Sequence, residues 1–547
     1  MKPCSEVPVH RAIAHALGLH GIRTMFGLIG DANLFMVDSF VRHEGGRFLA
    51  ANHEGSAVLM AHGHAQAQGR IGVATITHGT GLTNAVTALV EAVRSSTSMV
   101  VLCGDTPKDN LEHLQQLDQP PVITATGAGL VLMRGPRFVY QDMARAFYRA
   151  MIERRPIVLN MPVDLQWQEA QDQPVVLRVP DERAFIPASD DLDEAVGIIA
   201  AAHRPLVLAG RGAASAKARD ALIRLAARIG APLSTTLRAS GLFAGDPFNL
   251  GVCGTVATDV ATETILESDC VIAFGAGLNY FTAAHGSLMQ SKRIVQVDIS
   301  AAAIGARTRP TIGIVGDAAR TADRIAALMD EAELPGSGWR SPDMARRIAD
   351  CRLAPRLPGY PEESLNGTID LREALLRLER AVSRERNVAV DLGRFVAEAL
   401  RCFPAPDPRG LIHSISFGSI GLGLPTAIGA AVDSQRPTVL ISGDGGFMMG
   451  GLTELHTARR CGVNLVIIIC SDGSYGAEHV QFTNRNMDPA ISLFDWPDFQ
   501  QVAESMGVPG HTVRNRADLE IAAQAVEANT GVVLIDLKLD PDRVPWN

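Results

Sequence analysis

The chain has 547 residues, enough for about three or four domains of ordinary size. A formal charge of −9 argues against a nucleic-acid or anionic-membrane surface, and no apolar run is long enough to span a bilayer. The eight cysteines stand singly with no CxxC, which fits buried reduced thiols better than a disulfide frame or a zinc site.

The N-terminus, MKPCSEVPVHRAIAHALGLHG, lacks a signal-peptide core and reads as an amphipathic helix, so a cytoplasmic protein is expected. Phe26-Gly27-Leu28-Ile29-Gly30-Asp31-Ala32-Asn33 then places an aspartate in a glycine-bearing turn. Residues 52–64, NHEGSAVLMAHGH, open a helix with Glu54 in its first turn, where the macrodipole alone favours an acid. His53, His62 and His64 sit at helical spacing and call for no metal. Ile71 to Thr77 is a strand that ends in His78-Gly79-Thr80-Gly81-Leu82-Thr83-Asn84. A histidine at such a turn is either a pocket group or simply hydrogen-bonded structure.

Residues 165–190 are polar and proline-bearing, and residues 332–368 are richer still in Pro, Gly and charge. These breaks predict domains at 1–170, 190–332 and 368–547. Apolar strands alternate with Ala/Leu/Arg-rich helices throughout, so the fold class is α/β, with three doubly wound parallel-sheet domains. The middle one begins with a strand and Gly210-Arg211-Gly212-Ala213-Ala214-Ser215, a loose relative of the dinucleotide fingerprint with Ser215 in place of the third glycine. An ordinary α/β turn explains it; FAD or an adenine nucleotide in the central domain is the alternative.

In the last third, strand Val388–Val390 runs into Leu392-Gly393-Arg394, and Phe417-Gly418-Ser419-Ile420-Gly421 follows. Strand Thr438–Ile441 empties into Gly443-Asp444-Gly445-Gly446, and strand Leu465–Cys470 into Ser471-Asp472-Gly473-Ser474-Tyr475. Junctions of neighbouring parallel strands lie at one sheet edge, so Asp444 and Asp472 can meet there. Two oxygen donors beside glycines suit a hard cation carrying a phosphate, although Gly443–Gly446 could equally be a tight turn.

Together these segments resemble the thiamine-diphosphate-dependent enzymes, in the branch of acetolactate synthase and the pyruvate and benzoylformate decarboxylases. The resemblance covers nearly the whole chain in the order pyrimidine-binding, central and diphosphate-binding domain. It implies thiamine diphosphate held through Mg²⁺ by Asp444, Asp472 and the Ser474 carbonyl. It adds contacts from Gly393, Arg394, Gly443, Gly445, Gly446 and Tyr475. Ile420 becomes the apolar wedge between the cofactor rings, and the Gly418 carbonyl accepts from the 4′-amino group. Glu54 becomes the glutamate that shares a proton with the aminopyrimidine, and Asp31, His78 and Glu478 become acid/base candidates. The usual Asn pair is Ser471-Asp472 here, the spacer is one residue longer, and Ile29 replaces a proline. The decarboxylase His-His pair is absent; Glu112-His113-Leu114 and Gln115-Gln116-Leu117-Asp118-Gln119 stand there.

The implied activity is 2-oxo acid decarboxylation with carbon–carbon ligation to an aldehyde or second 2-oxo acid, in a homodimer or homotetramer whose site lies between chains. Simple decarboxylation to an aldehyde is the first alternative. A flavin- or NAD-dependent oxidoreductase leaves Glu54 and Asp444 unexplained. A non-catalytic cofactor-binding relative draws only on Ser471-Asp472, and Glu54 speaks against it. The tail Asp540 to Asn547, with Pro545-Trp546, is placed to cap the entrance.

Overall fold

The structure, a computed structural model, describes residues 6–110, 112–178, 189–351, 353–360 and 367–545. The three predicted sheets are present, each six-stranded. The first has the spatial order Arg47–Ala50, Thr24–Gly27, Gly72–Ile76, Met99–Asp105, Pro156–Pro162, Gly129–Leu132, parallel throughout. The third has Leu411–His413, Asn387–Val390, Thr438–Gly443, Leu465–Ser471, Val532–Lys538, Gly510–Val513. In both, the strand order reverses beside the first strand in sequence, between Thr24–Gly27 and Gly72–Ile76 and between Asn387–Val390 and Thr438–Gly443. Ligands of open α/β sheets bind outside the carboxyl ends at such switch points. A short antiparallel pair, Glu6–Pro8 with Glu169–Gln171, ties the start of the chain to the end of the first domain.

The first and third sheets belong to one compact unit, and the middle sheet forms another. The two sheets of the larger unit share a continuous apolar core that includes Phe26, Met60, Ile76, Ile428, Phe447, Ile467 and Leu534. Its hinge is the pairing of helices Glu54–Gln68 and Gly423–Ala431, both buried on nearly every side. Neither carries a polar face, because neither has a face left for solvent. A side chain at Gly63 would run into the Thr426 carbonyl, and one at Gly429 into the Met60 carbonyl. The two helices therefore touch backbone to backbone.

In the middle unit the order is Asn249–Val252, Leu233–Thr235, Pro205–Ala209, Cys270–Phe274, Arg293–Asp298, Ile312–Val315. Gly210 N–H donates to the Phe274 carbonyl at 2.8 Å and Gly212 N–H to Gly275 at 3.1 Å. A Cβ at Gly212 would lie 2.8 Å from Gly275 Cα. Ser215 caps helix Ala216–Ile229 by accepting from Ala218 N–H. These contacts account for the Gly210–Ser215 turn without a nucleotide.

Cys103, Cys253, Cys270 and Cys470 are buried free thiols, and Cys402 is buried; Cys4 lies outside the described residues. No described helix is long and apolar enough to cross a membrane.

Gly63→Ala and Gly429→Ala should each cost about 1–3 kcal/mol through overpacking, lowering the thermal midpoint. Gly197→Ala, in helix Ser189–Ala200 with open space at its Cβ, should be neutral or slightly stabilising. Equal midpoints for all three variants would refute the close-crossing argument.

Candidate active site

At the switch point of the first sheet, the turn after strand Gly72–Ile76 brings the N-terminal candidates together. Glu54 is buried at the start of its helix, and its Oε2 accepts from Asn84 Nδ2 at 3.0 Å. His53 caps the same helix by accepting from Gly55 N–H. Gly81 lies beside Glu54: a Cβ there would sit 3.7 Å from the Glu54 Cγ. Thr77 Oγ1 donates to Asp31 Oδ1 at 3.3 Å, and His78 Nε2 lies 3.6 Å from that oxygen. The His78 imidazole is fully buried, and burial lowers its pKa more than Asp31 raises it. The His113 ring approaches it edge-on at 4.9 Å. The ligand-type atoms of Asp31, His78 and His113 all lie within 4.8 Å of one another.

Support for this turn comes from below. Gln119 is buried; its Oε1 accepts from Gly79 N–H at 2.8 Å, while its Nε2 donates to Gly104 O and to Asn160 Oδ1. Asn160 in turn donates to Asp105. The other candidate histidines are structural: His62 bonds the His413 carbonyl and His64 pairs with Asp433.

At the switch point of the third sheet, Asp444 is buried, with Oδ1 accepting from Gly445 N–H and Oδ2 from Gly473 N–H, both at 2.7 Å. Burial, then the neighbouring Asp472 carboxylate, push its pKa well above the usual carboxylate range. A buried carboxylate beside a second acid creates a demand for positive charge. Tyr475 closes one side: a Cβ at Gly445 would lie 2.8 Å from its ring. Ser474 forms an isolated antiparallel bridge with Leu493, in which Tyr475 N–H donates to Ser492 O and Phe494 N–H to Gly473 O. At such a pair the residue's own carbonyl points to the other side, so the Ser474 carbonyl is free of the bridge. Oxygen donors and side-chain-free backbone fit a hard cation bearing a diphosphate.

The segment carrying Ile420 is pinned from two directions. Asp391 Oδ2 accepts from Gly421 N–H at 3.0 Å and Ser442 Oγ at 3.1 Å, and Oδ1 from Leu392 N–H. Burial raises Asp391 to about 6. From the first domain, the buried Glu91 accepts from Ser416 N–H and Phe417 N–H. Arg94 stacks over the Phe417 ring at 4.8 Å. Gly418 and Gly421 take positive φ, +87° and +85°, which lets the loop fold back. Half-buried Ile420 then faces Gly446.

Asn84 closes the Gly79-x-Gly81-x-x-Asn84 turn that carries part of the resemblance. Two other site residues carry no local signature that singles them out: Asp391 is one acid after a strand, and His113 one histidine in a polar stretch. Each becomes visible only through a partner far along the chain. Glu478 is exposed on helix Gly476–Asn484, and His479 beside it is buried and bonds Asp542 at 2.9 Å. Pro545 is within the described residues, but Trp546, its expected partner as a cap, is outside them.

Three family models match the chain: the N-terminal TPP-binding domain of thiamine pyrophosphate enzymes over residues 8–122, their central domain over 192–325 and their C-terminal TPP-binding domain over 391–537. Among curated relatives, an acetolactate synthase large subunit of Parasynechococcus marenigrum is 30% identical, covering 94% of this chain and 85% of its own. A probable 2-ketoarginine decarboxylase of Pseudomonas aeruginosa is 28% identical over 98% of this chain and 95% of its own. A sulfoacetaldehyde acetyltransferase of Alcaligenes xylosoxydans is 28% identical, with coverage of 95% and 89%.

Asp391 gives a stability signature. Its ordinary value is 3.8 and its folded value about 6, so between these the native state holds a proton the unfolded chain lacks. Its contribution therefore improves as pH falls through about 6 and is complete near 3.8. Asp391→Asn, neutral throughout, should remove up to roughly 3 kcal/mol of that pH dependence. Unfolding midpoints that shift in parallel for both proteins between pH 4 and 7 would contradict the assignment.

Proposed function

Because the chain belongs to the thiamine pyrophosphate enzymes, we propose that it is a thiamine-diphosphate- and Mg²⁺-dependent enzyme that decarboxylates a 2-oxo acid. We read the reaction as continuing, in the manner of acetolactate synthase, to ligation with an aldehyde or a second 2-oxo acid. The observation that carries the cofactor reading is the buried Asp444 carboxylate with the partly buried Asp472 beside it, at the switch point of the third sheet.

Asp444 and the Ser474 carbonyl, with Asp472, would hold Mg²⁺ on the diphosphate; Gly443, Gly445 and Gly446 let backbone approach it, and Gly393, Arg394 and Tyr475 border it. When bound, thiamine diphosphate supplies the electron sink for cleavage beside the substrate carbonyl. Glu54, oriented by Asn84, would exchange a proton with the pyrimidine nitrogen. Ile420 fills the space over Gly446 and fixes the bend of the ligand, and the Gly418 carbonyl orients the amino group.

A homodimer or homotetramer supplies the complete site on this reading. Large apolar side chains are exposed beside both half-sites: Ile29 and Leu114 near the Glu54 group, Phe417, Met449, Ile491 and Leu493 near the Asp444 group. Apolar surface of that kind next to functional residues fits a covering second chain. In that arrangement Glu478 of one chain serves the acid/base group of the other.

Simple decarboxylation is a second reading with its own support. Asp31, His78 and His113 lie together as a group suited to relaying the proton that releases an aldehyde. Incubation with pyruvate and larger 2-oxo acids separates the two. Acetolactate or acetoin supports ligation, and acetaldehyde alone supports release. His113→Phe should shift any mixture several-fold towards ligation; an unchanged ratio would take His113 out of the relay.

Glu54→Gln should lower turnover at least 100-fold while calorimetry still shows thiamine diphosphate binding. Asp444→Ala should lose Mg²⁺-dependent binding altogether. Full turnover in Glu54→Gln, or undiminished binding in Asp444→Ala, would end this account of the site.

A further inference from the structure

Asp472 is the position at which this chain departs from the family's asparagine, and a buried arginine stands against it. Its Oδ1 accepts from Ser474 N–H at 2.9 Å and from Ser474 Oγ at 2.8 Å. Its Oδ2 accepts from Arg394 Nε at 3.1 Å and Nη2 at 2.7 Å. An ionised carboxylate offers about four acceptor positions, and here four donors take them up. Asp444, by contrast, accepts one described backbone N–H on each oxygen.

The arginine is built in. Its side chain is 3% exposed, and Nη2 also donates to the Pro541 carbonyl. It lies across Gly476, where a Cβ would be 2.8 Å from Arg394 Cδ. Any side chain at Gly476 would dislodge the guanidinium from Asp472. A glycine in the first turn of helix Gly476–Asn484 has little helical merit of its own, and this contact gives it a use.

Resting on the thiamine-diphosphate reading above, we infer that Arg394 and Asp472 act as one neutral unit of the diphosphate site. Arg394 offsets the negative charge by which Asp472 exceeds an asparagine, and it competes with Mg²⁺ for Oδ2. Two charged guanidinium N–H donors converging on that one oxygen make it a strong competitor. The same guanidinium, if relieved of its carboxylate, is matched in shape and charge to a phosphate group. The pair therefore sets how far cofactor binding depends on Mg²⁺, and neither residue can be changed alone without unbalancing the site.

The test is a double-mutant cycle on the full-length protein, with thiamine diphosphate affinity read by calorimetry in excess Mg²⁺ and again in EDTA. Arg394→Gln should weaken binding in Mg²⁺ at least tenfold, because two carboxylates then face the diphosphate uncompensated. Asp472→Asn should strengthen binding in EDTA at least fivefold, because Arg394 is released towards the phosphates. The double variant should return to within about threefold of the parent in Mg²⁺. Effects that multiply in the double variant overturn the inference. If Arg394→Gln does not fold, the EDTA arm of Asp472→Asn decides alone, and no gain there overturns the inference. Failure of the parent protein to bind thiamine diphosphate in Mg²⁺ would overturn the proposed function itself, which keeps the two failures distinct.

Discussion

The backbone-to-backbone crossing of helices Glu54–Gln68 and Gly423–Ala431 constrains everything else in the larger unit. Gly63 and Gly429 let carbonyls stand where side chains would otherwise hold the helices apart. The first helix opens with Glu54, and the second begins directly after the loop that carries Ile420. A shift at this crossing moves both at once. Polar contacts around it reinforce the same placement: Asn52 reaches Glu454 and Thr453, and Asp433 takes Thr24 and His64. Hydrogen bonding by His64, ahead of other causes, holds the Asp433 carboxyl down at about 2.

Given that placement, the switch points decide where chemistry can occur. Each of the two sheets opens a crevice beside its first strand, and each fills the crevice with a different kind of group. The first sheet collects groups of a type suited to proton exchange, Asp31, His78 and Glu54. The third collects a cluster of carboxyl groups, Asp391, Asp444 and Asp472. A ligand with a titratable ring at one end and a diphosphate at the other matches that division.

How much of this the sequence disclosed follows from the range of the interactions. Strand, turn and helix alternate on a local period, so three parallel sheets could be read directly from apolar runs. Asp444 and Asp472 could be paired in advance because parallel strands put their ends at one edge. Glu54 needed its motif, since a first-turn acid is common. Asp391 and His113 stayed hidden because their partners, Gly421, Ser442 and His78, lie tens of residues away. The glycines of the Gly210–Ser215 turn serve strand packing and its serine is a helix cap, contacts that the local pattern did not disclose. The common sheet order of the first and third domains was also out of reach, because strand order is fixed by long-range pairing.

Four acids, three of them buried, crowd the strand ends of the third sheet, and the protein treats each differently. Asp536 has Lys538 at 2.7 Å and Ser471 Oγ at 2.6 Å. Asp391 is wrapped by N–H and hydroxyl donors, and burial shifts it towards its protonated form. Asp472 has a buried guanidinium and both donors of Ser474. Among the described residues Asp444 has two backbone N–H groups and an anionic neighbour, so its charge is the least compensated of the four. Burying a carboxylate with that little support is costly unless a cation arrives. The unequal treatment of these neighbouring acids thus leaves Asp444 as the one that most lacks a positive partner.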